Sequence, residues 1–361
     1  PRIIFFPLSG FMADRIKPRF IFFNVDALRA LLMGAVFALL YWHPGSTFPA
    51  LAAMMALLSV AYVLNFVATD ALLPRHLSSE ALPKAHSMLQ GVDQITMVLG
   101  PAIAVAISSW GGIDSILIVA AVLFAISAIN YLFLETHDLE VTEKLGFHTL
   151  LASNRTALHV LKKNKILLHL CALTWVVNLV YGAALVVSAA VILKEFNLSD
   201  RYFGALQTTA ALVTIVAFFF VPRFASRFGL STLGTFSFCA MILAGAVMSL
   251  SVDYAMYLAG YAVLMAFDGA FSVYLRTLRS QVIPKEHLGK TMGIIGLMNM
   301  CSVPASGAVV SLLSGHFMPL QIISIILVAA LVFGLLLIFF GRRVFGYKSL
   351  LPPVIVSEPS C

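Results

Sequence analysis

Ten apolar runs, each about 20 residues or longer, follow one another along the chain. A hydrocarbon core ~30 Å thick takes about 20 helical residues to cross. The runs fall near 20–42, 48–73, 84–109, 113–134, 166–193, 202–222, 231–251, 254–275, 290–314 and 318–340, after an apolar stub, Ile3–Leu8. Composition removes the soluble alternatives. The chain is 61% hydrophobic and 11% charged, where a soluble domain has roughly 45–50% and ~25%. Disorder, a coiled coil and a disulfide scaffold fall with it. Cys171, Cys239, Cys301 and Cys361 are far apart and form no metal-binding spacing. The expected fold class is all-α, a polytopic membrane protein.

Basic residues fix the orientation. Arg2, Arg15, Lys17, Arg19, Arg75 and Lys84 fall in alternate loops, as do the bases of 144–165, Arg223, Arg227, Arg276, Arg279, Lys285, Lys290 and those of 342–348. These place 20 of the 23 Lys and Arg on one side, leaving Lys194 and Arg201 opposite and Arg29 within a span. The positive-inside rule makes the rich side cytoplasmic, so the central loop and the C-terminus are expected there, with the chain in the cell membrane. Trp42 and Trp110 fall at the opposite helix ends, where interfacial aromatics belong.

A weak duplication organises the chain. Glu80-Ala-Leu82-Pro-Lys84 recurs as Glu286-His-Leu288-Gly-Lys290, 206 positions on, and Ala13-Asp14-Arg15 recurs as Ala225-Ser226-Arg227, 212 positions on. Parallel halves joined by a long loop describe a two-bundle transporter. The expected domains are an N-terminal bundle (1–134), a central loop with an interfacial helix over Phe147–Leu161 (135–165), a six-helix C-terminal bundle (166–340) and a tail (341–361), disordered over Ser349–Cys361. If the halves match, about 45–50 residues, the first helix and most of the second, are missing from the start.

The stretch Gly10-Phe-Met-Ala13-Asp14-Arg15-Ile-Lys17-Pro-Arg19 resembles the signature loop between helices two and three of the major facilitator superfamily. Leu73-Pro74-Arg75, Leu82-Pro83-Lys84-Ala85-His86-Ser87 and Gly100-Pro101 are similar to its enterobactin-exporter-like and macrolide-efflux-like branch. Gly100-Pro101 also resembles the fifth-helix antiporter motif, with Thr96 and Ala104 in place of its further glycines. The resemblance implies two pseudo-symmetric bundles and secondary active efflux of a small amphipathic compound coupled to protons. It also implies a cytoplasmic latch built on Gly10, Asp14, Arg15 and Arg19. Read from the residues alone, Asp14 can cap a neighbouring helix end, with Arg15, Lys17 or Arg19 paired to it or to lipid headgroups. Ordinary loop charge is the alternative.

Ionisable residues inside spans default to functional candidates because they are costly there. Asp26 and Arg29, three apart, read as a local ion pair, and Asp70 as structural. Asp93 shares a stripe with Gln90, Met97 and Gly100 and matches Asn299 at the 206 offset; Asp268 shares one with Tyr261 and Met265. Low-dielectric burial favours a neutral carboxyl, which makes Asp93 and Asp268 the proton-coupling candidates. Partners on other helices, or a solvated vestibule, would explain them equally well. Tyr62, Asn65, Gln90, Trp175, Asn178, Tyr181, Gln207, Tyr261 and Asn299 are candidates to line a cavity.

Other chemistries find no support. Gly289-Lys290-Thr291 ends like a P-loop, but Pro284 stands where its first glycine should be, so no nucleotide is expected. No metal, cofactor or nucleic acid is expected, and no enzyme constellation is visible. The partners expected are a small-molecule substrate, protons and the lipid bilayer. A proton-coupled importer and a non-transporting fragment are the competing readings.

Overall fold

The computed structural model describes residues 2–43, 45, 47–134 and 146–345. Twelve α-helices account for nearly all of them: α1 (Arg2–Ala13), α2 (Pro18–Trp42), α3 (Thr47–His76), α4 (Leu82–Gly111), α5 (Ser115–Tyr131), α6 (Phe147–Lys163), α7 (Lys165–Ala190), α8 (Arg201–Phe228), α9 (Leu230–Ser249), α10 (Tyr254–Val282), α11 (Leu288–Leu313) and α12 (Pro319–Phe345). Nine are long and apolar enough to cross a membrane, so the chain is an all-α polytopic membrane protein. Ten were expected. The difference is α5, where run 113–134 yields only 17 helical residues, the lower limit for a span. Asp114 and the turn after Tyr131 shorten it at both ends.

Local chemistry sets the boundaries. Asn164 caps α7, its side chain accepting from the Ile166 and Leu167 amides. Gly229, at φ +87°, stops α8 and lets α9 start one residue later. The helix expected over Phe147–Leu161 forms as α6, with Lys162 and Lys163 in its last turn. The expected disordered tail, Ser349–Cys361, lies outside the described residues.

Two compact units divide the chain. Unit 1 comprises Pro1–His76, Leu99–Lys163 and Ile283–Leu297; unit 2 comprises Leu77–Val98, Asn164–Val282 and Met298–Cys361. The division crosses α4 two residues before Gly100-Pro101 and crosses α11 between Leu297 and Met298. The start of each of these helices thus belongs with the opposite half of the sequence. Unit 2 has the larger core, with Leu170, Leu173, Leu206, Tyr257, Tyr261, Phe271 and Tyr274 fully buried. Small residues let its helices approach closely. A Cβ on Gly234 would meet the Tyr274 ring at 2.8 Å, and one on Gly260 the Ala244 carbonyl oxygen at 3.0 Å. Unit 1 holds a smaller cluster around Val36, Ala50 and Met54.

Candidate functional site

In unit 1, Asp14 sits where the ends of α1 and α3 meet the start of α11. Its Oδ1 accepts from Arg75 Nη2 at 2.7 Å and from the Gly289 amide at 2.7 Å, while Oδ2 accepts from the Lys290 amide at 2.9 Å. Both side chains are almost sequestered, at 6% exposure for Asp14 and 11% for Arg75. The two amides belong to the first turn of α11, whose N–H groups have no acceptor within the helix. A carboxylate there satisfies them and meets the positive end of the helix dipole. Arg75 completes the junction, donating to the Ala13 carbonyl at 3.2 Å and the Lys285 carbonyl at 3.5 Å.

Glycine permits the close approach. A Cβ on Gly10 would lie 2.5 Å from the Gly289 carbonyl oxygen, and one on Gly293 would lie 2.7 Å from the Phe6 carbonyl oxygen. These contacts are backbone against backbone, so no side-chain rotation relieves them. The sequence offered Arg15, Lys17 and Arg19 to Asp14 or to lipid headgroups. The structure adds Arg75 as a partner of Asp14, from 61 residues away, because the end of α3 approaches the end of α1. Arg15 and Arg19 lie over the Phe11 and Phe20 rings, at 4.1 and 4.8 Å.

In unit 2, polar side chains of α7, α8, α10 and α11 gather within the spans. Tyr261 donates to Gln207 Oε1 at 2.9 Å. Tyr181 lies within electrostatic reach of both Asp268 and Tyr261. Asn178 donates to Ser302 Oγ at 2.7 Å, and Ser302 in turn donates to the Asn299 carbonyl at 2.5 Å. The Asn299 Oδ1 is buried with no hydrogen-bond partner among the described residues. Trp175, Asn178 and Tyr181 are each half-buried on one face of α7, and Asp268 is half-buried on α10. Ser302 escaped the sequence reading, since a serine in an apolar helix carries no periodic signal.

The remaining candidates divide by unit. Gln90 and Asp93 lie on the first part of α4, in unit 2, and Asp93 is exposed there. Tyr62 and Asn65 are in unit 1, Tyr62 stacked on Phe66 and covered by the Arg2 guanidinium at 4.8 Å. Helix α4 continues through Gly100 and Pro101. The Asp26–Arg29 ion pair forms at 2.9 Å, with Ser127 donating to the second carboxylate oxygen at 2.6 Å. Among the described residues no cluster of ligating side chains could hold a metal.

A family model described as Major Facilitator Superfamily matches residues 1–188 and again 170–350. The chain belongs to the major facilitator superfamily. It is thus a membrane transporter rather than an enzyme. Solved transporters of this superfamily share the fold at low identity. A bacterial homologue of the iron transporter ferroportin, in its outward-facing state, superimposes with TM-score 0.72 at 18% identity, covering 95% of this chain and 88% of that one. The human organic anion transporter TETRAN gives TM-score 0.73 at 16% identity, covering 92% and 80%. The Escherichia coli fucose:proton symporter gives 0.71 at 9%, covering 91% and 87%. No curated protein matches.

Proposed function

We propose that the protein is a proton-coupled exporter of a small amphipathic compound, working by alternating access from the cell membrane. The observation that carries this reading is the polar cluster of unit 2: a carboxyl, Asp268, within reach of Tyr181, which in turn neighbours the Tyr261–Gln207 pair, all within spanning helices. Neutral Asp268 enters a low-dielectric closed state at far less cost than its carboxylate, which ties protonation to the conformational switch. Asp268 is the stronger carrier, with Asp93 second because it is exposed on α4. The aromatic faces of Trp175 and Tyr181 suit an apolar or aromatic substrate, Tyr261 is buried behind them and holds Gln207, and Asn178, Gln207 and Asn299 supply the orienting polar contacts.

Asp14 is the cytoplasmic latch of this cycle. Its two hydrogen bonds from the Gly289 and Lys290 amides hold the start of α11 while the substrate site faces outward, Arg75 ties it to α3, and Gly10 lets the two backbones meet. Gly100-Pro101 is the bending point of α4, where proline removes one helical hydrogen bond. Import coupled to protons is the second reading, supported by the fold shared with a fucose:proton symporter. Inverted membrane vesicles separate the two. With the vesicle interior acidified, an exporter accumulates lipophilic, drug-like compounds inside, and dissipating the gradient releases them. Accumulation of a sugar or other polar solute by oppositely oriented vesicles would establish import instead.

A further inference from the structure

The Asp14 junction has a counterpart in unit 2 that carries different chemistry. At the repeat offsets, Phe6, Gly10 and Asp14 correspond to Phe218, Pro222 and Ser226, while Arg75 and Gly289-Lys290 correspond to Gln281 and Pro83-Lys84. The geometry corresponds too. Arg75 donates to the Lys285 carbonyl at 3.5 Å, and Gln281 donates to the Ser79 carbonyl, at the same offset, at 3.3 Å. Gly293 abuts the Phe6 carbonyl, and its counterpart Ser87 donates to the Phe218 carbonyl at 2.7 Å.

Where unit 1 fills the junction with an ion pair, unit 2 has a cavity of about 1100 Å³, lined by Glu80, Pro83, Lys84, Arg223, Ser226 and Gln281 among others. Serine replaces the carboxylate, glutamine replaces the arginine, and two prolines replace the paired glycines. Among the described residues, Lys84, Arg223 and Glu80 enter no ion pair, and Gln281 Oε1 is buried without a donor.

Two exposed apolar stripes lead away from this cavity. Met88, Val92 and Ile95 follow Lys84 at intervals of four, four and three on α4, and Phe219, Val216 and Leu212 precede Arg223 at intervals of four, three and four on α8. Each stripe is headed by a base at the end of a spanning helix, where a bilayer places its headgroups.

We propose that this cavity is a binding site for a membrane glycerophospholipid whose headgroup carries both a phosphate and a primary ammonium. Lys84 and Arg223 take the phosphate, as basic pockets between spanning helices take lipid phosphates. The ammonium donates to Glu80 and to Gln281 Oε1, and an acyl chain lies along the Met88 and Phe219 stripes. The lipid supplies the charges that the second copy of the junction lacks. A choline headgroup carries the same charges but has no N–H donor, so it leaves Gln281 Oε1 unpaired.

The test is native mass spectrometry of the delipidated full chain, offered equal amounts of phosphatidylethanolamine, phosphatidylcholine and phosphatidylglycerol. Retention of phosphatidylethanolamine above phosphatidylcholine by roughly five-fold, the size of one hydrogen bond, is expected. Replacing Lys84 and Arg223 by Gln together, or Met88 and Phe219 by Ser together, lowers retention of both lipids, whereas Gln281→Leu removes the preference between them. Installing the missing ion pair, Ser226→Asp with Gln281→Arg, displaces the lipid. These positions tolerate change differently, so the exposed Lys84 and Arg223 decide the matter if another variant fails to fold. Equal retention of phosphatidylcholine, preference for phosphatidylglycerol, or adducts indifferent to Lys84→Gln with Arg223→Gln would overturn the proposal. Competition by millimolar phosphorylethanolamine as effective as that by the lipid would show a soluble phosphate site instead.

Discussion

Arg75 and Gln281, 206 positions apart, end corresponding helices and donate to corresponding backbone carbonyls, yet only Arg75 has a carboxylate to pair with. The duplicated scaffold has therefore kept its backbone geometry in both copies and its charge in one. An ion pair this sequestered is costly to break by halves, because the abandoned charge stays buried.

Asp14→Asn keeps the shape of the side chain but removes the charge facing Arg75 and the first turn of α11. Hydrogen bonds to a charged group contribute about 1.5–3 kcal/mol each, so the junction should open at least ten-fold more often. Alkylation, by a reagent added on the basic side, of a cysteine placed at Phe6 within α1 measures this opening. An unchanged alkylation rate would show that the charge does not hold α11.

Gly10→Ala should act in the same direction by sterics alone. Its Cβ would lie 2.5 Å from the Gly289 carbonyl oxygen, so α1 and α11 must separate, costing about 1–3 kcal/mol in thermal stability. Gly34→Ala is the control, since nothing lies within 4 Å of that Cβ. Equal melting temperatures for the two variants would contradict the close packing.

Ser87→Ala removes the buried hydrogen bond to the Phe218 carbonyl. A loss of about 1 kcal/mol is expected, read as faster hydrogen exchange in the first turns of α4 and around Phe218. Exchange that is altered elsewhere but not there would refute the contact.

Much of this architecture is legible in the sequence because hydrophobic length is a strong signal. Nine of the ten expected runs form full-length helices, and Asp14 meets the end of a neighbouring helix as its place in the loop allowed. Long-range pairing is less legible. Arg75 lies 61 residues from Asp14, and nothing local marks it as the partner in preference to Arg15. Burial within the membrane is hidden for a similar reason. Asp93 and Asp268 have similar apolar surroundings in sequence, but Asp268 is half-buried within electrostatic reach of Tyr181 from α7, whereas Asp93 is exposed on α4.

Tyr261→Phe deletes the donor to Gln207 Oε1 without changing the packing volume. Tyr261 is buried, so the change should act through the released Gln207 amide and weaken binding of a polar-headed substrate several-fold, about 0.5–1.5 kcal/mol, while leaving proton coupling intact. Substrate binding measured by tryptophan quenching reports it. Coupling lost with binding preserved would reverse the roles assigned to Tyr261 and Asp268.

The central claim, proton-driven export through Asp268, is tested most directly by transport in proteoliposomes under an imposed pH gradient. Inward-facing orientation is selected by inhibition from one side, and uphill substrate movement is followed against the proton flux. The account predicts that Asp268→Asn binds substrate and supports downhill exchange but no longer moves it uphill, while Asp93→Asn retains part of the uphill rate. Full gradient-driven transport by Asp268→Asn would contradict it.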